Sequence, residues 1–131
     1  MHENSIVMMS IKPEYAAQIL AGVKKYEFRR RLFRSDVRVV EIYSTSPVKR
    51  VVGNFTVKAI HKGSPVQIWN MCAAAGGINR DSFFRYFAGS NIAYAIEVEL
   101  VEVYRSPRFI SDYNMAPPQS FCYINHKGTL R

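Results

Sequence analysis

The first apolar run is short. Ser5–Ile11 (SIVMMSI) carries no charge and holds Ile6 and Val7, which predicts a buried strand. The next segment changes period. Pro13 suits the first turn of a helix, where its missing N–H is not needed. Tyr15, Ala16, Ile19 and Leu20 then recur on one face, and Gly22 fits the position just past the helix end. From Lys25 the period falls to two. Tyr26 and Phe28 point one way, and Lys25, Glu27, Arg29 and Arg31 the other, as on a strand.

Two further strands follow. Val37–Pro47 ends in Ser-Thr-Ser-Pro, and Lys49–Gly63 contains Gly53 as a candidate bulge. Ser64, Pro65 and Gln67 form a capping box ahead of a helix that presents Ile68, Met71, Cys72 and Ala75, and Gly76-Gly77 stops it. Asn79 caps a second short helix with Phe83, Phe84 and Phe87 on its inner side. Ile92–Arg105 gives the clearest alternation, Ile96, Val98 and Leu100 against Glu97 and Glu99. Pro107, Pro117 and Pro118 mark irregular chain before a last short element packing through Phe121 and Tyr123. The order β-α-β-β-β-α-α-β predicts an α+β fold with largely antiparallel strands. A small β-barrel with helices closing its ends is expected, since closure removes exposed edges.

Charge narrows the function. The chain has 131 residues and a net charge of +8. From Lys24 to Lys62 there are eleven cations against three acids, so this stretch carries the whole excess. Such a segment suits an anionic partner, nucleic acid above all; a merely solubilising charge is the alternative. No apolar run is long enough to span a bilayer, and no secretory leader is visible. Two cysteines in unrelated contexts make neither a disulfide framework nor a zinc pattern, so a cytoplasmic protein with reduced thiols is expected. His2, His61 and His126 are scattered, and neither metal nor cofactor is expected. Cys72, on an apolar helix face, reads as core rather than nucleophile.

Three blocks, in order, resemble the ASCH domain of the PUA-like superfamily. The first is SIKPEYAAQILAGVKKYEFRR, with Lys12-Pro13, Gly22, Lys24 and a basic residue, Arg29, five positions on. The second is YSTSPVKRVVGNFTV and the third FFRYFAGSNIAYAIEVEL. The resemblance implies that residues 1–131 form a single ASCH domain, a PUA-like mixed β-barrel associated with RNA or modified nucleotides. Some family members hydrolyse acetylated cytidine nucleosides and others are ribonucleases. In the amidohydrolases the Gly-x-Lys lysine works with a threonine three positions later. Lys24 matches that lysine, whereas Glu27 stands at the threonine position and supplies no hydroxyl.

The candidate site follows. Lys12, beside a helix N-terminus, and Lys25, Arg29, Arg30 and Arg31 are candidates to bind RNA or another anion. Tyr43, Ser44, Thr45 and Ser46 make a polar strand end that suits a phosphate or a base edge, or simply turn capping. Tyr43, Tyr94 and Tyr123 are candidates for base stacking. Two functions are expected of such a cleft. One is a binding module for RNA or a modified nucleotide, linked to RNA metabolism or to transcription or translation. The other is a hydrolase in which Lys24 acts as base or electrostatic stabiliser, with Glu27 as base or orienter. A lysine base needs a lowered pKa, for which the neighbouring cations are the expected cause.

Overall fold

The computed structural model describes residues 5–34 and 36–124. His2 and His126 lie outside them. The elements are β1 (Ser5–Ile11), α1 (Pro13–Leu20), β2 (Tyr26–Arg29), β3 (Val37–Ser44), β4 (Arg50–Gly63), α2 (Pro65–Cys72), α3 (Arg80–Tyr86), β5 (Ala93–Arg108) and β6 (Phe121–Tyr123), with 3-10 turns at Ala73–Ala75 and Ile110–Tyr113. The local signals act as expected. Ser64 and Gln67 exchange both bonds of the capping box, and Asn79 accepts the Ser82 N–H at 2.8 Å.

One six-stranded sheet runs in the order β2-β5-β4-β3-β1-β6 and curls into a half-barrel, the α+β architecture expected of a PUA-like fold. One pairing departs from the antiparallel expectation, because β1 lies parallel to β3, with α1 and β2 in the crossover. Local periodicity carries no information about which distant strand becomes a neighbour. The edges β2 and β6 are not paired with each other. Inside the curl, Ala16 and Ile19 of α1 pack against Val40, Phe55, Ile96 and Val98. Helices α2 and α3 cover β2 and β5 through Ile68, Cys72, Phe83 and Phe87.

Gly53 lies at a shift in register against both β3 and β5. A Cβ there would sit 2.3 Å from the Glu102 carbonyl oxygen, so glycine permits the close approach. Leu100 is corrected from inner to outer: it is 67% exposed. Register shifts around Phe55–Ala59 break the period of two on β5 and turn Glu99 and Leu100 outward in succession. Met71 is also exposed, since α2 turns Ile68 and Cys72 inward instead.

On the far side of the sheet, Glu41 is buried in a third cluster. It accepts a hydrogen bond from Tyr104 at 2.5 Å and a longer one from Tyr113 at 3.5 Å. Burial raises its pKa, opposed by the Tyr104 hydrogen bond and Arg108. The folded state therefore holds that proton more tightly than the unfolded chain does. This contribution is complete below the ordinary carboxylate range and lost as pH rises through the raised value. Glu41→Gln keeps an oxygen for Tyr104 and carries no charge. Its melting temperature, relative to the natural protein, is expected to climb from acid to neutral pH. Parallel melting curves across that range test this, and a pH-independent difference contradicts it.

Candidate functional site

Where β2 fails to meet β6, the sheet leaves a seam, and a cleft of about 630 Å³ lies along it. Arg29, on β2, spans the seam. Its Nη1 donates to Glu27 Oε2 at 3.1 Å and to the Ser10 carbonyl on β1 at 3.3 Å. Its Nη2 donates to Ser120 Oγ at 2.6 Å, just before β6. A single guanidinium fork thus holds three segments and fixes the Glu27 carboxylate.

Lys24 lines the cleft and is 2% exposed. The chain leaves α1 through Gly22 and returns the Lys24 N–H to the Gln18 carbonyl at 3.1 Å, which sets the residue at the mouth of β2. The ammonium lies 5.0 Å from the Tyr15 ring centre and 4.8 Å from that of Phe28, and it donates to the Gly76 carbonyl. Burial lowers its pKa, and the Glu27 carboxylate opposes the shift. The expected cause, neighbouring cations, is therefore replaced by desolvation. The Gly76-Gly77 pair does more than stop a helix. Gly77 has φ +68°, and a Cβ there would come 2.9 Å from Cβ and Cγ of Lys24 and 2.4 Å from Gln18 Oε1. Gly77→Ala is expected to displace the Lys24 stem and to destabilise the fold by about 1 kcal/mol or more, since alanine is strained at this positive φ. Thermal melts of the variant and the natural protein check this.

The other candidates divide. Lys12, Lys24, Glu27 and Arg29 line the one cleft. Lys25 does not: its backbone is bonded to Ala75 and Val98, and its side chain is exposed. The strand ends at Arg29, so Arg30 and Arg31 fall outside its alternation, and Arg30 lies over the Tyr86 ring at 4.9 Å. Tyr43 and Ser44 are buried and Ser46 is exposed in a turn; of this polar strand end, only Thr45 lines the cleft. Tyr94 stands opposite Arg29 on β5, and Tyr123 is stacked by Arg34 at 4.0 Å. The cleft also takes Tyr15 from α1, Ser82, Arg85 and Tyr86 from α3, and Gln119. Tyr15 stood only as a core residue of α1, and Arg85 and Tyr86 lay hidden in a helix legible only for its phenylalanines. Among the described residues, no three His, Cys, Asp or Glu side chains gather as a metal site. Burial pushes the Cys72 thiol up to about 11, which suits packing rather than attack.

Residues 9–108 match the sequence pattern of the ASCH domain. The chain belongs to the ASCH domain family. The match takes in the Lys12-Pro13 turn, Lys24, Glu27, Arg29 and most of the cleft wall. An ASCH domain-containing ribonuclease from Zymomonas mobilis is 29% identical over 132 residues, covering 95% of this chain and 87% of that protein. The crystal structure of ASCH from Zymomonas mobilis superposes with a TM-score of 0.88 at 27% identity, covering 96% of this chain and 92% of that one. A large ribosomal subunit protein uL22 of Ureaplasma parvum is 29% identical over 120 residues, 90% of this chain. The ASCH chain spans only 39% of that ribosomal protein's length. No described helix of this ASCH protein is long and apolar enough to cross a membrane.

Proposed function

We propose that this ASCH protein binds RNA in the seam cleft and cleaves it. The observation that carries the reading is the cleft's chemistry: a buried lysine with a lowered pKa beside a carboxylate held by a guanidinium fork. Its likeness to a ribonuclease along nearly the full length of both chains supports it.

RNA carries its own nucleophile in the ribose 2′-hydroxyl. Glu27 takes the 2′-hydroxyl proton, the 2′-oxygen bonds to phosphorus, and the bond from phosphorus to the 5′-oxygen breaks. Lys24 stabilises the charge on the phosphoryl oxygens and gives a proton to the departing 5′-oxygen. A lysine whose charged form is destabilised by burial releases that proton more readily. Arg29 does not touch the reacting atoms in this scheme; it positions Glu27.

A second reading has an observation of its own. Thr45 places a hydroxyl on the wall of the cleft that holds Lys24, although no hydroxyl stands three residues after that lysine. That arrangement suits hydrolysis of an acylated cytidine. One assay separates the two: incubate the protein with end-labelled RNA and with acetylated cytidine, and analyse both by mass spectrometry. Fragments ending in 2′,3′-cyclic phosphate and 5′-hydroxyl support cleavage, and a deoxyribose at the scissile position should block it. Intact RNA with deacetylated nucleoside overturns the first reading for the second.

A further inference from the structure

Two cations on the cleft wall are not used by the protein itself. Arg29 spends its fork on Glu27, Ser10 and Ser120, and Lys24 is occupied by Gly76 and two rings. Lys12 and Arg85 also line the cleft, are exposed, and have no side-chain hydrogen bond or ion pair among the described residues. Lys12 stands on the β1–α1 side and Arg85 on α3. Beside Arg85, Tyr86 faces the same cleft with its ring braced edge-on against the buried Phe87, centres 4.8 Å apart. Arg30 covers that ring at 4.9 Å and has no other side-chain partner among the described residues.

Building on the ribonuclease reading, we propose that Tyr86, Arg30 and Arg85 form a subsite for a nucleotide flanking the reacting one, so that the substrate is an unpaired RNA strand crossing the cleft from Lys12 to this platform. Three physical points support it. An aromatic ring anchored in a core and topped by a guanidinium suits a base, which stacks on either kind of plane. Free cations contributed to one cleft by different elements suit successive phosphates of one strand. A cleft of about 630 Å³ is the size of a small-molecule pocket, which suits a few unpaired nucleotides. A free nucleoside would reach the Lys24 centre and leave the platform empty.

The test uses a fluorescent 2′-O-methyl oligoribonucleotide, which binds without being cleaved, read by anisotropy over a salt series. Tyr86→Ala is expected to weaken binding about tenfold and Tyr86→Phe to restore it. Arg85→Ala should lower the slope of log affinity against log salt by about 0.7, one phosphate contact on a single strand. Arg105→Ala removes an exposed cation outside the cleft lining and should leave both unchanged. A cytidine monophosphate competitor should bind far more weakly than the strand. Strand binding that ignores Tyr86 and Arg85, or a mononucleotide that binds as tightly as the strand, overturns the platform. A natural protein that neither binds the strand nor cleaves RNA overturns the ribonuclease reading itself.

Discussion

On the proposed ribonuclease reading, Lys24→Met should lower RNA cleavage by about 10²–10⁴-fold while leaving the protein as stable as before, or more so. The two halves of this result rest on different physics. The loss in rate follows from removing the one fully buried cation that lines the cleft among the described residues. Retained stability follows because the charge is expensive where it sits. Its immediate surroundings are two aromatic rings and one carbonyl, and burial already acts against its charged form. Methionine fills a similar volume against the rings without a charge to desolvate. A lysine kept for structure alone would give the opposite pattern. On the same reading, the alkaline limb of the natural protein's kcat/KM profile should fall below the ordinary lysine value of about 10.4, because burial lowers this group's pKa. An unchanged rate in Lys24→Met would remove Lys24 from the chemistry.

Arg29→Met should be the most damaging change to the fold at the site, costing about 3–5 kcal/mol. The side chains of Arg29 and Glu27 are only 12% and 8% exposed, so removing the guanidinium strands a buried carboxylate. It also deletes the bonds to Ser10 and Ser120. The double change Arg29→Met with Glu27→Leu leaves no lone charge and should recover much of the stability, yet none of the activity. Urea melts of the single and double variants measure the first statement, and turnover the second. Equal stability of Arg29→Met and the natural protein would show that the fork contributes nothing to closing the seam.

Much of the local structure is legible from residue spacing: the capping box at Ser64, the Asn79 cap, and the Pro13 start of α1. What escapes is long-range. Lys24 stands in a run of cations that suits an anionic partner, but its burial is not legible there, because the groups that bury it include Gly76, more than fifty residues away. Glu27 is legible as a candidate base or orienter, but its burial behind Arg29 is not. A register shift at Ile42–Tyr43 accompanies the burial of Tyr43 and Ser44, and no periodicity shows it. The family resemblance supplied Lys24 through Gly-x-Lys, but the cleft's other wall, with Arg85 and Tyr86, belongs to a helix whose apolar pattern pointed only to core.

The unpaired seam has a mechanical consequence. Elsewhere, neighbouring strands are joined by a ladder of backbone bonds; between β2 and β6 the ties run through side chains, the Arg29 guanidinium and, just past β2, the Arg34 N–H on the Tyr123 hydroxyl and the Phe33 ring on Phe121. Each bond from that charged guanidinium contributes about 1.5–3 kcal/mol net. The two edges of the sheet are therefore joined without a backbone ladder, and the cleft lies along that joint.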